Sequence, residues 1–126
     1  MTARDGSPLG RKEIGDFGER VAAAWLRAQG EKVLYRNHRA PRGGEVDIVA
    51  RKGKLLLFIE VKTRRQGAKI RGYDAVNADK RALIERGAGH WRELLKRNDI
   101  PWRFDVIEVT VEEGCKPVVH RIEDAF

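Results

Sequence analysis

Apolar residues at Ile14, Phe17, Val21, Trp25 and Ala28 recur every three or four positions, and Gly30 follows them. That spacing lines one side of a helix, so the pattern predicts a helix over Arg11 to Gln29 that Gly30 closes. On its wheel Glu19 falls at the margin of the apolar stripe, towards Gly15, Ala22 and Leu26. Shorter runs of strand length follow: Val33 to Arg39, Glu45 to Ala50 and Lys54 to Thr63. "PRGG" (Pro41 to Gly44) separates the first two, and "RKGK", which contains Gly53, separates the second and third. Proline presets its own φ and glycine accepts positive φ, so both read as turns. Gln66 to Gly72 is polar and glycine-bearing, as a loop would be.

A second helix runs from Asn77, a good N-cap, to Lys96, with Leu83, Ile84, Ala88, Trp91, Leu94 and Leu95 on its inner side. Gly87 and Gly89 each weaken it by about 1 kcal/mol relative to alanine, which makes this the stretch where the helix could kink. Phe104 to Val111 and Val118 to Ile122 follow as a fourth and a fifth strand. The order αβββαββ predicts an α/β fold in which helices flank a central mixed sheet. Residues 1–10, with Gly6, Ser7, Pro8 and Gly10, read as a flexible tail, and 11–126 as one domain.

The third strand departs from the pattern of a core strand. Leu55 to Ile59 is unbroken and apolar, but Glu60, Val61 and Lys62 come next. Alternate side chains of a strand share a face, which pairs Glu60 with Lys62 and, one strand earlier, Glu45 with Asp47. The short turn between the strands lets Asp47 lie beside Glu60. Two carboxylates so placed repel unless a proton or a cation sits between them. A hard divalent ion such as Mg²⁺ or Mn²⁺ suits them, because it takes a carboxylate or two plus water and phosphate oxygens. A lysine two residues further on can orient or deprotonate a water, or offset charge on a phosphate. Together these are the residue types that phosphodiester hydrolysis requires. The competing reading is a structural Glu60–Lys62 ion pair at a strand end, since E-x-K alone is a common tripeptide.

Charge adds a partner to this picture. The 126 residues carry 26 Lys and Arg against 19 Asp and Glu, a net charge of +7. Such a surplus favours a polyanion, although a basic soluble protein has the same total. Its distribution is uneven: Arg36, Arg39 and Arg42 precede the unusual stretch, and Arg64, Arg65, Lys69 and Arg71 follow it. Arg64 to Tyr73 thus sets four basic residues and an aromatic ring just after Lys62, a composition suited to tracking a phosphate backbone and stacking on a base. A solvated basic loop has the same composition.

Other classes are disfavoured. No apolar run approaches the roughly 20 residues of a membrane-spanning helix, and the N-terminal stretch lacks the apolar core of a secretory signal. The single Cys115 cannot form an intramolecular disulfide, and His38, His90 and His120 lack zinc-ligand spacing. A cytoplasmic protein is expected. No P-loop, dinucleotide fingerprint or H-E-x-x-H occurs.

"GEVDIVA", "LLFIEVKTR", "RFDVI" and, in the first helix, "FGERVAAAWL" resemble the bacterial YraN-like family, which is placed in the restriction-endonuclease-like PD-(D/E)xK nuclease superfamily. The same order of motifs resembles archaeal Holliday-junction resolvases. The likeness covers nearly all of the chain after the tail. It implies that Asp47 and Glu60 bind the metal, that Lys62 is the catalytic lysine, and that Glu19 is the additional acid of resolvase-like members. The superfamily's usual proline before the aspartate is Val46 here; that proline is not itself a ligand. Resolvase-like members work as dimers, which raises a homodimer, although no self-complementary surface can be read from the sequence.

Lys80 lies in the first turn of the second helix on its apolar side, where it either snorkels to solvent or reaches a phosphate or the active site. Glu45 is either an outer ligand or sits at the wet entrance of its strand. Trp25, Trp91 and Trp102 have apolar neighbours and read as core. The expectation is a Mg²⁺-dependent endonuclease acting on DNA, with structured or branched DNA as candidate substrates. The alternative is a nucleic-acid-binding module that keeps the fold without catalysis, and a partner-binding basic protein is a third option.

Overall fold

A computed structural model describes residues 10–66 and 77–126. Its elements are α1 (Arg11–Ala28), β1 (Lys32–Ala40), β2 (Gly44–Lys52), β3 (Leu55–Arg65), α2 (Ala78–Leu95), β4 (Trp102–Val111) and β5 (Val118–Ile122). The strands form one sheet in chain order, antiparallel except for the β3–β4 pair. A parallel pair needs a crossover, and α2 lies within it. The two helices cover opposite faces. α1 shares its core with Leu57, Ile59, Val61 and Ile107, whereas Ile84 and Ala88 of α2 pack with Leu56, Phe58 and Val106. The run from Leu55 to Ile59 is apolar because this central strand is covered on both faces. The α/β architecture and the order αβββαββ are those expected. Among the described residues, no helix is long and apolar enough to cross a membrane.

The α1 helix packs on a different stripe from the one its large residues suggest. Ile14, Gly18, Ala22, Ala23 and Leu26 are buried, whereas Phe17, Val21 and Trp25 are only partly covered and Ala28 is exposed. The cause is Gly18: a Cβ there would fall 1.7 Å from Oγ1 of Thr63 on β3. So close an approach brings the small residues of α1 towards the sheet and carries Glu19 inward with them. Hydrophobic periodicity gives glycine no weight and therefore misplaces the stripe.

The second helix uses the same device. Gly87 lies directly over the start of β2, where a Cβ would come within 2.8 Å of the Glu45 backbone. Gly44 is equally confined: a Cβ there would fall 2.7 Å from the Gly87 nitrogen. Gly87 therefore marks a close crossing, and α2 is continuous through it. The crossing fixes which side faces the sheet. Leu94, about a quarter-turn off the Ile84–Ala88–Trp91 line, is 61% exposed, and Leu95 in the last turn is 37% exposed, contrary to expectation. Trp102 is likewise not core: it is 39% exposed, and the Arg92 guanidinium lies 4.5 Å above its ring.

The β1–β2 pair contains an irregularity that matters for the site. Arg36 pairs with Ile48 and His38 with Val46, so Asn37 stands opposite Asp47. Strict alternation would put Val46 and Ile48 on one face. Instead Ile48 packs in the α1 core and Val46 in the α2 core, and Asn37 has a left-handed φ of 56°. Both strands turn over at this position without losing register. Asp47 consequently stands at the border between the two layers.

Candidate active site

β2 and β3 pair as far as Ile48 and Ile59, and the ladder opens beyond them. The next facing positions are Asp47 and Glu60. One Asp47 carboxylate oxygen, Oδ2, accepts a hydrogen bond from the Val61 N–H at 2.9 Å, where a backbone bond would otherwise lie. This holds the carboxylate between the strands. Glu60 is 3% exposed, with its Oε1 3.5 Å from Lys62 Nζ and 3.4 Å from Lys80 Nζ. Its Oε2 is buried and meets no hydrogen-bond donor. Burial first, and then the Asp47 charge, push the Glu60 carboxyl up to about 8. The two carboxyl groups meet directly, which further favours a proton between them.

Glu19 approaches from α1. Its Oε1 is buried without a partner, and burial followed by the Asp47 charge raises its pKa to about 7. Arg36 and Arg39 of β1 act in the opposite direction. The four residues Glu19, Asp47, Glu60 and Lys62 thus converge from α1, β2 and β3.

Lys80 turns towards Glu45 and Glu60 rather than snorkelling outward. Asn77 caps α2 by accepting the Lys80 N–H at 2.9 Å, which fixes the first turn. The Lys80 ammonium then hydrogen-bonds Glu45 Oε1 while lying near Glu60. Burial pulls its pKa down, but the Glu45 hydrogen bond and the Glu60, Glu45 and Asp47 charges outweigh burial and raise it. Glu45 also accepts from Arg39 at 3.1 Å, and its carboxyl is held below the usual range, mainly by Lys80. Glu45 and Asp47 thus have different partners.

Of the candidate nucleic-acid contacts, Arg64 is half-buried and Arg65 exposed at the end of β3, and both are engaged in other interactions. Lys69, Arg71 and Tyr73 lie outside the described residues, as do residues 1–9 of the expected tail.

One acidic residue beside the site was not singled out from the sequence. Glu108, buried on β4, is the register partner of Lys62, and His120 Nδ1 on β5 lies 3.7 Å from its Oε2. The signal was available. Glu108 follows Phe104 and Val106 in alternation, a carboxylate on a core strand just as Glu60 is.

The donor chemistry fits a hard divalent cation. Two buried carboxylate oxygens, on Glu19 and Glu60, have no donor, and Asp47 and Glu60 repel each other. Among the described residues no three His, Cys, Asp or Glu groups enclose an ion by themselves. An ion held by Asp47 and Glu60 would therefore need water or phosphate oxygens to complete its shell.

The raised Glu60 pKa has a measurable consequence. Below its ordinary value near 4.5 both folded and unfolded states keep the proton. Between there and about 8 the folded state keeps a proton that the unfolded chain loses, so this group's contribution to stability falls as pH rises. In metal-free buffer, Glu60→Gln should melt a few degrees above the parent at pH 8, with the gap closing towards pH 5. Parallel melting curves of the two proteins across that range would contradict the assignment.

Comparison with known proteins places this geometry in a wider set. The profile of "Uncharacterised protein family UPF0102" matches residues 18–109, which include every residue of the site. A "UPF0102 protein" of Trichlorobacter lovleyi is 42% identical over 118 residues, covering 93% of this chain and 92% of its own. One of Syntrophotalea carbinolica is 44% identical over 116 residues, covering 92% and 93% respectively. One of Anaeromyxobacter dehalogenans is 39% identical over 117 residues, covering 93% and 86%.

Proposed function

Because the chain belongs to Uncharacterised protein family UPF0102, we propose a function from the site itself: a divalent-metal-dependent endonuclease that hydrolyses phosphodiester bonds in DNA, with structured or branched DNA as the first substrates to test. The observation that carries the reading is Glu60. A carboxylate that is 3% exposed, lies against Asp47 and has an oxygen without a donor is poorly explained as half of a structural ion pair.

Asp47 and Glu60 would hold the ion, with Glu19 beside them. A bound ion of this class supplies Lewis acidity to a phosphoryl oxygen and a lower pKa to water. The chain's own groups do the rest. Val61 N–H orients Asp47. The Lys62 ammonium, 24% exposed at the rim, offsets the charge that develops on the phosphate. Glu19, with a pKa near 7, can take or give a proton at neutral pH. The net charge of +7 favours approach of a polyanion.

The test is incubation with plasmid, single-stranded and four-way-junction DNA in Mg²⁺ or Mn²⁺. Cleavage that EDTA stops and Asp47→Asn abolishes supports the reading. Salt-dependent binding without cleavage of any substrate would replace it with the non-catalytic module.

A further inference from the structure

Lys80 places an ammonium where a cation is otherwise expected, and its surroundings give it a second place to go. It comes from α2, whose first turn is fixed by the Asn77 cap and whose position over β2 is set by the Gly87–Gly44 crossing. From there it touches Glu45 and stands 3.4 Å from the same Glu60 oxygen that Lys62 approaches. Lys62 is paired with Glu60 on its own strand and stands beside Glu108 on β4, whereas Lys80 is shared between Glu60 and Glu45. Glu45 in turn is tied to the exposed Arg39, so it remains neutralised whichever way Lys80 moves.

We propose that Lys80 is a resident cation of the site, competing with the divalent ion for Glu60, and that Glu45 is the acceptor that receives it when the ion enters. The inference rests on the metal site of the preceding section and assigns that site a built-in limit on affinity. In the metal-free protein the ammonium offsets part of the repulsion between Asp47 and Glu60. On metal entry it gives up Glu60 and keeps Glu45. Lys80 is thus a positioning residue that acts through Glu60.

Calorimetric titration of Mn²⁺ into four proteins tests this without any nuclease assay: the parent, Lys80→Met, Glu45→Gln and the double variant. Methionine keeps the aliphatic stem and removes the charge. Lys80→Met should bind Mn²⁺ at least about tenfold more tightly than the parent, because a like charge has left the ligand. Glu45→Gln should bind severalfold more weakly, since Lys80 then has only Glu60 to satisfy it. The decisive comparison is the double variant. In the Lys80→Met background, adding Glu45→Gln should change affinity by less than about twofold, because nothing remains to be redirected. A Glu45→Gln penalty of equal size with and without Lys80 would reduce both effects to simple charge removal and overturn the competition. So would Lys80→Met binding no more tightly than a parent that does bind. If neither parent nor Lys80→Met binds Mn²⁺ while thermal melts show both folded, the metal site fails, and the competition fails with it.

Discussion

Lys62→Met should lose roughly 10²- to 10³-fold in DNA cleavage while keeping its fold. Lys62 stands on the strand that carries Glu60, with its ammonium 3.5 Å from Oε1 and its side chain 24% exposed. It is therefore positioned at the rim, where a phosphate would meet it, rather than in either core. Methionine matches its length and preserves the contacts of its stem, so the change isolates the charge. Removing one ammonium beside a buried carboxylate should disturb stability little. Lys80 remains near the same oxygen, and the Glu60 proton is already favoured. Arginine should not rescue, because a planar fork cannot reproduce a compact ammonium at that depth. Single-turnover cleavage with saturating Mn²⁺ is the measurement. A Lys62→Met rate within threefold or so of the parent's, on a substrate the parent cuts, would remove Lys62 from the chemistry.

The second large effect belongs to a residue that does no chemistry. Asp105→Ala should destabilise the protein by about 3–5 kcal/mol. Asp105 is fully buried, the register partner of Ile59, on the α1 side of the sheet. It accepts two hydrogen bonds from Arg103, at 2.7 and 3.0 Å, one from Arg121 at 3.0 Å, and one from the Asp124 N–H at 3.0 Å. Arg121 also makes a bidentate pair with buried Glu31, at 2.6 and 2.7 Å, which ties β5 to the end of α1. Alanine would leave two guanidinium groups beside a hole with only part of their partners. At a few degrees per kcal/mol for a domain of this size, the melting temperature should fall by roughly 10–20 °C. Asp105→Asn should fall between the alanine variant and the parent, and added salt should change little because the network is buried. A loss below about 1 kcal/mol in urea unfolding would mean that the network contributes specificity rather than stability.

Asp105 also marks a limit of motif reading. "RFDVI" contributes to the resemblance, yet its aspartate serves the far face of the sheet and never reaches Glu60. Where apolar periodicity was strong, sequence and structure agree within a residue or two, and the facing of Asp47 and Glu60 across a short hairpin was legible from alternation alone. The disagreements in the two helices have one physical source, the small residues. Gly18 turns α1 so that Ala22 and Leu26 lead, which makes Glu19 a member of the cluster rather than a residue at its edge. Gly87 sets α2 against β2, which brings Lys80 to Glu45 and turns Leu94 to solvent. A pattern scored on large apolar side chains cannot register a contact made by the absence of a Cβ. Nor could it see strands changing face, which is what puts Val46 and Ile48 in different cores.

Asn37 bears on how the proposed activity could be removed without touching a charged residue. Its left-handed φ of 56° costs little for asparagine and roughly 1–2 kcal/mol or more for a β-branched residue. Valine there would favour a strand that does not turn over, and the border position of Asp47 depends on that turnover. An engineer could thus alter the site from a neutral residue, leaving every charge on the molecule unchanged. Position 37 is in this sense a control knob hidden in the scaffold, invisible to any search for acids and bases.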